Sequence, residues 1–257
     1  MNPLQTMLQQ KNGLHLMWLG NDGWLIWDGS HLYGTDLDLY NPERLAPPPV
    51  DPEELAGRLD VHFLSHDHQD HFNSESCRML AQKGNPLFVL PQSCAQKGEE
   101  LALPSSRTPL VRPGDKLELP GIYAECIRAI HGHIGGTVYQ GASTLDCGYR
   151  FQIGQKVLYQ PGDTVLLQEH MEMPPVDVLF VSPTEHNTGV ENSLRLIEWL
   201  KPAHVLPQHY GTYQEAPENL FWTYGYVDEL QEKLGRTAAP AYIRLRPGEI
   251  WSLPANG

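Results

Sequence analysis

Residues 62–72 read HFLSHDHQDHF, a segment rich in side chains that bind metal ions. Four of these side chains, His66, His68, Asp70 and His71, follow the spacing His-x-His-x-Asp-His. Neutral imidazoles and a carboxylate suit zinc, and also iron or manganese. Residues two apart in an extended loop point to the same side, so His66 and His68 can hold one ion while Asp70 and His71 face a second. A solvated polar loop is the alternative, but the close spacing favours a metal site.

The elements on either side must place this segment at the edge of a sheet. Residues 61–64 form a short apolar run that predicts a strand, and Asn73 or Ser74 can cap a helix that continues to Lys83. The motif therefore lies on a strand-to-helix loop, where binding sites are often built. His62 and Asp67 fall outside the ligand spacing.

Alternating strands and helices are predicted for the rest of the chain. Short apolar runs bounded by turn residues predict strands at 14–19, 24–27, 31–34, 87–90, 117–119, 122–130, 148–153, 156–159, 176–181 and 204–206. Helices are predicted at 93–101, 191–200 and 217–234, and a final hairpin at 242–245 and 250–253. The pattern predicts one α/β (α+β) domain over residues 1–257, with two sheets covered by helices on their outer faces.

Composition narrows the classes of partner. Lys and Arg number 18 against 31 Asp and Glu, a net charge of −13, which disfavours nucleic acid and anionic membranes. No stretch approaches the ~20 apolar residues of a membrane helix, and the amino terminus does not resemble a secretory signal. The four cysteines form no CxxC pair, which predicts reduced core thiols and a cytoplasmic setting. A small-molecule substrate is expected, and a local basic pocket for a small anion stays open.

The motif at 66–71, placed after a strand, resembles the signature of the metallo-β-lactamase superfamily. Members of that superfamily have a four-layer αββα sandwich with a one- or two-metal site along one edge. The resemblance implies a further histidine, then a bridging aspartate, then a last histidine, each after a strand. His131, Asp163 and His209 stand in that order and in such places.

Each of these three residues also has a simpler interpretation. His131 and His133 could both be ordinary loop residues; if only one binds, His131 matches the superfamily ligand, and His133 could contact substrate or support a ligand. Asp163 could be a turn residue, because Pro-Gly-acid also occurs at 113–115 and 247–249. His209 could be a buried histidine bonded to the backbone.

Stretches at 18–24, 111–119, 159–163 and 184–189 are similar to the L-ascorbate-6-phosphate lactonase branch of the superfamily and its uncharacterised relatives. This similarity implies hydrolysis of a lactone or ester of a small molecule, such as a phosphorylated sugar. The segment His131-Gly132-His133 departs from that lactonase, whereas hydrolases of broader specificity in the branch carry a histidine there. The substrate is therefore open.

The resemblance implies two divalent ions per chain, zinc or manganese, with iron as an alternative. The first ion would be held by His66, His68 and His131, the second by Asp70, His71 and His209, and Asp163 would bridge them. A solvent molecule shared by both ions would have a pKa near neutrality and supply the attacking hydroxide.

Several other residues are candidates for supporting roles. The leaving group could take its proton from Asp70, His133, His186 or bound water. Asp36, Asp38 and Glu185 are candidates for orienting the imidazoles, and His133 and His186 for contacting substrate.

Two other functions compete with lactone or ester hydrolysis. The same kind of site cleaves small phosphodiesters in other superfamily members. A non-catalytic metal-binding protein is the third possibility, but a structural zinc site normally closes with four ligands, and seven candidates exceed that number. The resemblance also favours a homo-oligomer.

Overall fold

The structure, a computed structural model, describes residues 2–235 and 240–254. The chain divides into two compact units. Unit 1 comprises Met1–Arg112, Leu119–Gly121 and Leu245–Gly257, and unit 2 comprises Pro113–Glu118 and Ile122–Arg244. The expectation of one domain over residues 1–257 stays a prediction.

Unit 1 contains a seven-stranded mixed sheet of order β16-β1-β2-β3-β4-β5-β6. Its strands are β1 Leu14–Gly20, β2 Gly23–Trp27, β3 Leu32–Thr35, β4 Val61–Phe63, β5 Leu87–Pro91, β6 Leu110–Val111 and β16 Ile250–Leu253. Neighbours from β16 to β3 are antiparallel, and those from β3 to β6 are parallel. β4 is buried along its whole length between two parallel neighbours, and this burial includes His62, the one polar residue of the strand.

Helices cover one face of this sheet. They are α1 Pro3–Leu8, α2 Pro52–Ala56, α3 Ser74–Lys83 and α4 Ala95–Glu100. Leu4 of α1 and Leu55 of α2 share one apolar cluster with Met17 and Leu19, which are two apart on β1 and so lie on the same face. α3 begins where the sequence predicts, because the Asn73 side chain accepts a hydrogen bond from the backbone N–H of Ser76 at 2.9 Å.

Unit 2 contains a second mixed sheet, of order β15-β14-β13-β12-β11-β8-β7. Its strands are β7 Lys116–Leu119, β8 Ile122–Ala129, β11 Asp146–Ile153, β12 Lys156–Gln160, β13 Val178–Val181, β14 His204–Pro207 and β15 Ala241–Tyr242. A short separate hairpin is formed by β9 Gly132–His133 and β10 Thr137–Val138.

Four strands of this sheet end at the same edge. β8 and β12 are both antiparallel to β11, so they run in the same direction, and β13 and β14 are parallel to β12. The loops that follow these four strands therefore leave the sheet from one edge, where α/β proteins build their sites.

The helices of unit 2 are α5 Gln168–Glu172, α6 Gly189–Leu200, α7 Leu220–Thr223 and α8 Val227–Leu234. Leu196 and Leu200 of α6 and Leu230 of α8 share an apolar cluster with Leu179 and Val181 of β13. The fold class is therefore α/β, with two mixed sheets flanked by helices, as the sequence predicts.

Two local expectations are wrong. The final hairpin does not form, because β15 pairs with β14 (Ala241 opposite His204) while β16 pairs with β1 (Leu253 opposite Leu14). The helix expected at 217–234 is two helices, separated at Tyr224–Tyr226, and Tyr226 has a positive φ of 45°. The helix expected at 93–101 is confirmed as α4, Ala95–Glu100, which a 3-10 turn over Gln92–Cys94 precedes.

Two expectations from composition can be compared with the structure. All four cysteines are free and buried, as predicted. In the part of the chain that the structure describes, no helix combines the length and apolar character needed to cross a bilayer.

Candidate metal centre

The loop after β4 brings the predicted histidines of unit 1 together. The ring centroid of His66 lies 4.7 Å from that of His68 and 4.2 Å from that of His71. Nε2 of His71 lies 3.5 Å from Oδ2 of Asp70. His66 and His71 are buried, while His68 and Asp70 are partly exposed, so these four residues form a half-buried donor group rather than a solvated turn.

Asp36 orients two of these imidazoles. Its Oδ2 lies 3.0 Å from Nδ1 of His71 and accepts a 2.6 Å hydrogen bond from the Ser65 hydroxyl. The Ser65 oxygen, having donated its hydrogen to Asp36, accepts from Nδ1 of His66 at 2.9 Å. Both rings therefore carry their hydrogen on Nδ1 and leave Nε2 to bind a metal ion, an arrangement common around metal-binding histidines.

A strained backbone surrounds the same loop. Asp36 has a φ of 42° and Asn21 a φ of 47°, both in a region that favours glycine. Asn21 donates from Nδ2 to Oδ2 of Asp70 at 3.1 Å, which fixes that carboxylate. Asp22 is fully buried, and the ligand atoms of Asp22, Asp36 and His71 all lie within 4.8 Å of one another.

Lys97 of α4 contacts the loop that carries the predicted ligands of unit 1. Its Nζ donates to the backbone carbonyl of Asp67 at 2.5 Å and lies 4.8 Å from the ring centroid of Phe72. Burial lowers the pKa of Lys97. The lysine therefore anchors the middle of the motif through a main-chain contact.

In unit 2 three histidines converge on one carboxylate oxygen. Oδ2 of Asp163 lies 2.7 Å from Nε2 of His186, and 3.4 Å from Nε2 of both His131 and His209. Asn187 donates from Nδ2 to Oδ1 of Asp163 at 2.9 Å. All five residues are buried, so Asp163 is at the centre of the group and is not an exposed turn residue.

The tautomers of two of these histidines indicate what belongs between them and Asp163. Nδ1 of His131 lies 2.7 Å from the carbonyl oxygen of Gly132, and Nδ1 of His186 lies 3.2 Å from that of Phe221. Because a carbonyl oxygen only accepts, each Nδ1 carries a hydrogen, and Nε2 of each ring faces Oδ2 of Asp163.

A lone pair facing a carboxylate oxygen is repulsive unless a cation lies between the two atoms. The cation could be a proton on the imidazole or a metal ion. Burial has the largest effect on the pKa of His186 and lowers it. The carboxylate of Asp163 has a smaller effect and raises this pKa. The neutral ring is thus favoured, and the donor set of His131, Asp163 and His186 fits a divalent cation.

Hydrogen bonds between the loops of unit 2 hold these donor residues in place relative to one another. The side chains of Gln160 and Gln208 form a reciprocal pair of amide hydrogen bonds of 2.9 and 2.7 Å, which ties the end of β12 to the end of β14. The backbone N–H of Ile130 donates to the Thr164 hydroxyl at 3.0 Å, and that of Val165 to the Ile130 carbonyl at 2.9 Å. The loops after β8, β12 and β14 are therefore linked to one another.

The remaining predicted residues lie in varied positions. His133 is exposed and stacks on Tyr139, with ring centroids 6.2 Å apart. Glu185 accepts a 2.5 Å hydrogen bond from the hydroxyl of Tyr226, and Asp38 lies 3.9 Å from the guanidinium of Arg44. Neither acid has an imidazole among these contacts.

Sequence reasoning missed five residues of the two groups: Asn21, Asp22, Ser65, Lys97 and Asn187. Asn21 reads as part of an Asn-Asp-Gly turn, and Ser65 as the end of a strand. Asn187 directly follows His186, and this position is the one feature of the sequence that could have indicated its role. Lys97 lies 30 residues from its partner Asp67, so no local pattern marks it.

Residues 15–209 match the family model described as the beta-lactamase superfamily domain. A protein of Carboxydothermus hydrogenoformans described as a UPF0173 metal-dependent hydrolase is 27% identical over 205 residues, which cover 78% of this chain and 84% of the relative.

Solved structures show the same fold. Igni18, a metallo hydrolase from Ignicoccus hospitalis, has a TM-score of 0.73 at 18% identity and covers 93% of this chain and 98% of its own. An isothiocyanate hydrolase from Delia radicum gut bacteria has a TM-score of 0.69 at 17% identity and covers 94% of this chain and 100% of its own. These likenesses confirm the predicted metallo-β-lactamase type of fold.

Proposed function

Since this chain belongs to the beta-lactamase superfamily of metal-dependent hydrolases, we propose that it hydrolyses a lactone or ester of a small molecule. The observation that supports this proposal most strongly is the convergence of His131, His186 and His209 on one oxygen of Asp163, with the Nε2 atoms 2.7 to 3.4 Å from that oxygen. The similarity of four sequence stretches to the L-ascorbate-6-phosphate lactonase branch supports a lactone.

The proposed centre contains two divalent ions per chain, and zinc, manganese and iron all suit its donors. The ligand order of the superfamily supports one ion on His66, His68 and His131 and a second on Asp70, His71 and His209, with Asp163 shared. We add His186 as a further donor beside Asp163, because its Nδ1 is occupied by a carbonyl and its Nε2 faces the carboxylate.

Such ions, when bound, lower the pKa of a water molecule and polarise the carbonyl that is attacked. The residues of the chain provide the orientation. Asp36 and Ser65 fix the tautomers of His66 and His71, and the carbonyls of Gly132 and Phe221 do the same for His131 and His186. Asp70, held by the Asn21 amide, is assigned the proton transfer to the leaving group.

The net charge of −13 supports a small substrate rather than a nucleic acid. A cytoplasmic location and a homo-oligomer stay predictions, as does the absence of membrane binding.

The test is a substrate panel measured on the metal-free protein and on protein reconstituted separately with zinc, manganese and iron(II). The panel contains a phosphorylated sugar lactone, a simple lactone, an aryl ester, an aryl isothiocyanate and a generic phosphodiester. We expect metal-dependent turnover of a lactone or ester. Phosphodiester turnover without lactone or ester turnover would replace the proposal with a phosphodiesterase, and no metal-dependent turnover at all would contradict it.

A further inference from the structure

Five aromatic side chains of unit 2 form a closed circuit in which each ring contacts two others. The contacts join His131 to Tyr139 (5.6 Å between ring centroids), Tyr139 to His133 (6.2 Å), His133 to Phe221 (5.3 Å), Phe221 to His186 (6.2 Å) and His186 to His131 (5.2 Å). We call this set the aromatic circuit. Its two buried members, His131 and His186, face Asp163, while Tyr139 is 40% exposed.

The backbone fixes the outer part of the circuit. A Cβ atom on Gly132 would lie only 2.0 Å from the carbonyl oxygen of His186, so the β9–β10 hairpin packs directly against that segment. The N–H of Gly136 donates to the carbonyl of Glu185 at 3.0 Å, and that of Tyr139 to the carbonyl of His131 at 2.9 Å. The outer rings are therefore held beside the donor group by main-chain contacts.

The same hairpin exposes apolar side chains. Ile134 is 50% exposed and Val138 is 59% exposed, and both flank the aromatic circuit in sequence. Apolar surface beside a small number of convergent polar groups is typical of small-molecule sites, where the apolar part gives affinity and the polar groups give orientation.

The ion pairs of unit 2 direct several basic side chains to partners outside the aromatic circuit. Recognition of phosphate needs arginine or lysine side chains directed at it. Four basic residues of unit 2 are instead engaged in ion pairs with partners outside the aromatic circuit: Arg128 with Glu169, Arg150 with Glu125, Lys233 with Glu191 and Arg244 with Asp228.

We propose that the outer rings of the aromatic circuit, Tyr139, His133 and Phe221, bind an alkyl or aryl substituent of the substrate. This inference rests on the proposed function and names its substrate class: a lactone or ester with a hydrophobic substituent, rather than a phosphorylated sugar. The buried members of the circuit belong to the donor group, so the apolar substituent is held next to the place where the carbonyl is attacked.

The experiment uses the metal-reconstituted full chain and a series of γ-lactones whose side chain grows from methyl to heptyl. For the unaltered chain we expect kcat/KM to rise about two- to fourfold per added methylene, mostly through KM, as expected for burial of one methylene. In Tyr139→Ala this dependence flattens, and in Tyr139→Phe it is retained. Tyr40→Ala removes a tyrosine of equal exposure (41%) outside the circuit and should keep the dependence.

The methyl lactone separates the two proposals. If it is not hydrolysed and neither are the longer lactones or aryl esters, the proposed function fails. If lactones are hydrolysed but kcat/KM does not depend on chain length, the aromatic circuit inference fails alone. A preference for a phosphorylated sugar lactone over the alkyl lactones also overturns the inference. So does a preference for a choline ester over its neutral analogue, because the rings would then bind a cation rather than an apolar substituent.

Discussion

The two donor groups have similar side chains but are built differently. In unit 1 the four predicted ligands occupy one six-residue loop, and a carboxylate, Asp36, orients two of the imidazoles. In unit 2 the donors come from four separate loops, and backbone carbonyls orient two of the imidazoles. The carboxylate increases the basicity of the ring it contacts and can be removed by substitution, whereas a carbonyl cannot.

This difference has a consequence for mutation. The donor group of unit 1 depends on an orienting side chain outside the ligand motif, so it should be sensitive to a conservative change at Asp36. The donor group of unit 2 depends on the central carboxylate itself, because three rings converge on Asp163.

Asp163→Ala should have the largest effect. We expect kcat/KM for a hydrolysed substrate to fall by about 10³-fold or more, since a metal ion supplies several kcal/mol of transition-state stabilisation. Asp115→Ala is the matched control, because Asp115 ends the same Pro-Gly-Asp sequence but lies outside the donor groups. Equal losses in the two variants would show that Asp163 acts only through the fold.

Asp36→Asn should weaken metal binding by about 10- to 100-fold, because it removes the acceptor that orients His71 directly and His66 through Ser65. Asp28→Asn is the control, since Asp28 contacts a histidine of the same unit, His31, outside the donor loop. The measurement is the dissociation constant from competition with a chelator. Unchanged affinity in Asp36→Asn would remove the distinction between the two groups.

His186→Asn should weaken metal binding by about tenfold and change the visible spectrum of the cobalt(II)-substituted protein, because it replaces a nitrogen donor beside Asp163. His133→Asn, on the exposed side of the aromatic circuit, should leave both the affinity and the spectrum unchanged. An identical spectrum in His186→Asn would exclude His186 from the ligand set.

The smallest effect concerns a feature that the two units share. Each contains a histidine that is 0% exposed and is not one of its donors, and burial lowers the pKa from 6.5 to about 3 for His62 and to about 4 for His170. Below pH 6.5 the unfolded chain gains protons that the folded chain does not, so the free energy of unfolding falls as the pH falls.

The expected slope is about 1.4 kcal/mol per pH unit for each of these histidines between pH 6 and 5. Denaturant unfolding at several pH values measures it, and His62→Gln or His170→Gln should each remove one such contribution. An unchanged slope in both variants would show that neither histidine is held neutral.

The same contrast explains what the sequence could predict. The motif of unit 1 is contiguous, so its chemistry is visible in residues 66–71, and α3 is predictable from its Asn73 cap. The donors of unit 2 lie up to 78 residues apart, from His131 to His209, and only the resemblance placed them in order. The role of His186 depends on its contact with the carbonyl of Phe221, which no spacing reveals.

The errors have similar physical causes. Residues 242–245 and 250–253 read as a hairpin, but strand pairing is decided by partners far away in sequence, His204 for one strand and Leu14 for the other. The break between α7 and α8 depends on the left-handed backbone of Tyr226, a conformation that a tyrosine rarely adopts.

The most direct test of the two-metal centre is the metal content of the purified 257-residue chain after reconstitution and removal of weakly bound ions. Elemental analysis by mass spectrometry, together with an amino-acid determination of protein concentration, gives the number of ions per chain. We expect two divalent ions per chain in the unaltered protein. A value of one or less after reconstitution with zinc, manganese and iron(II) would contradict the proposed two-metal centre.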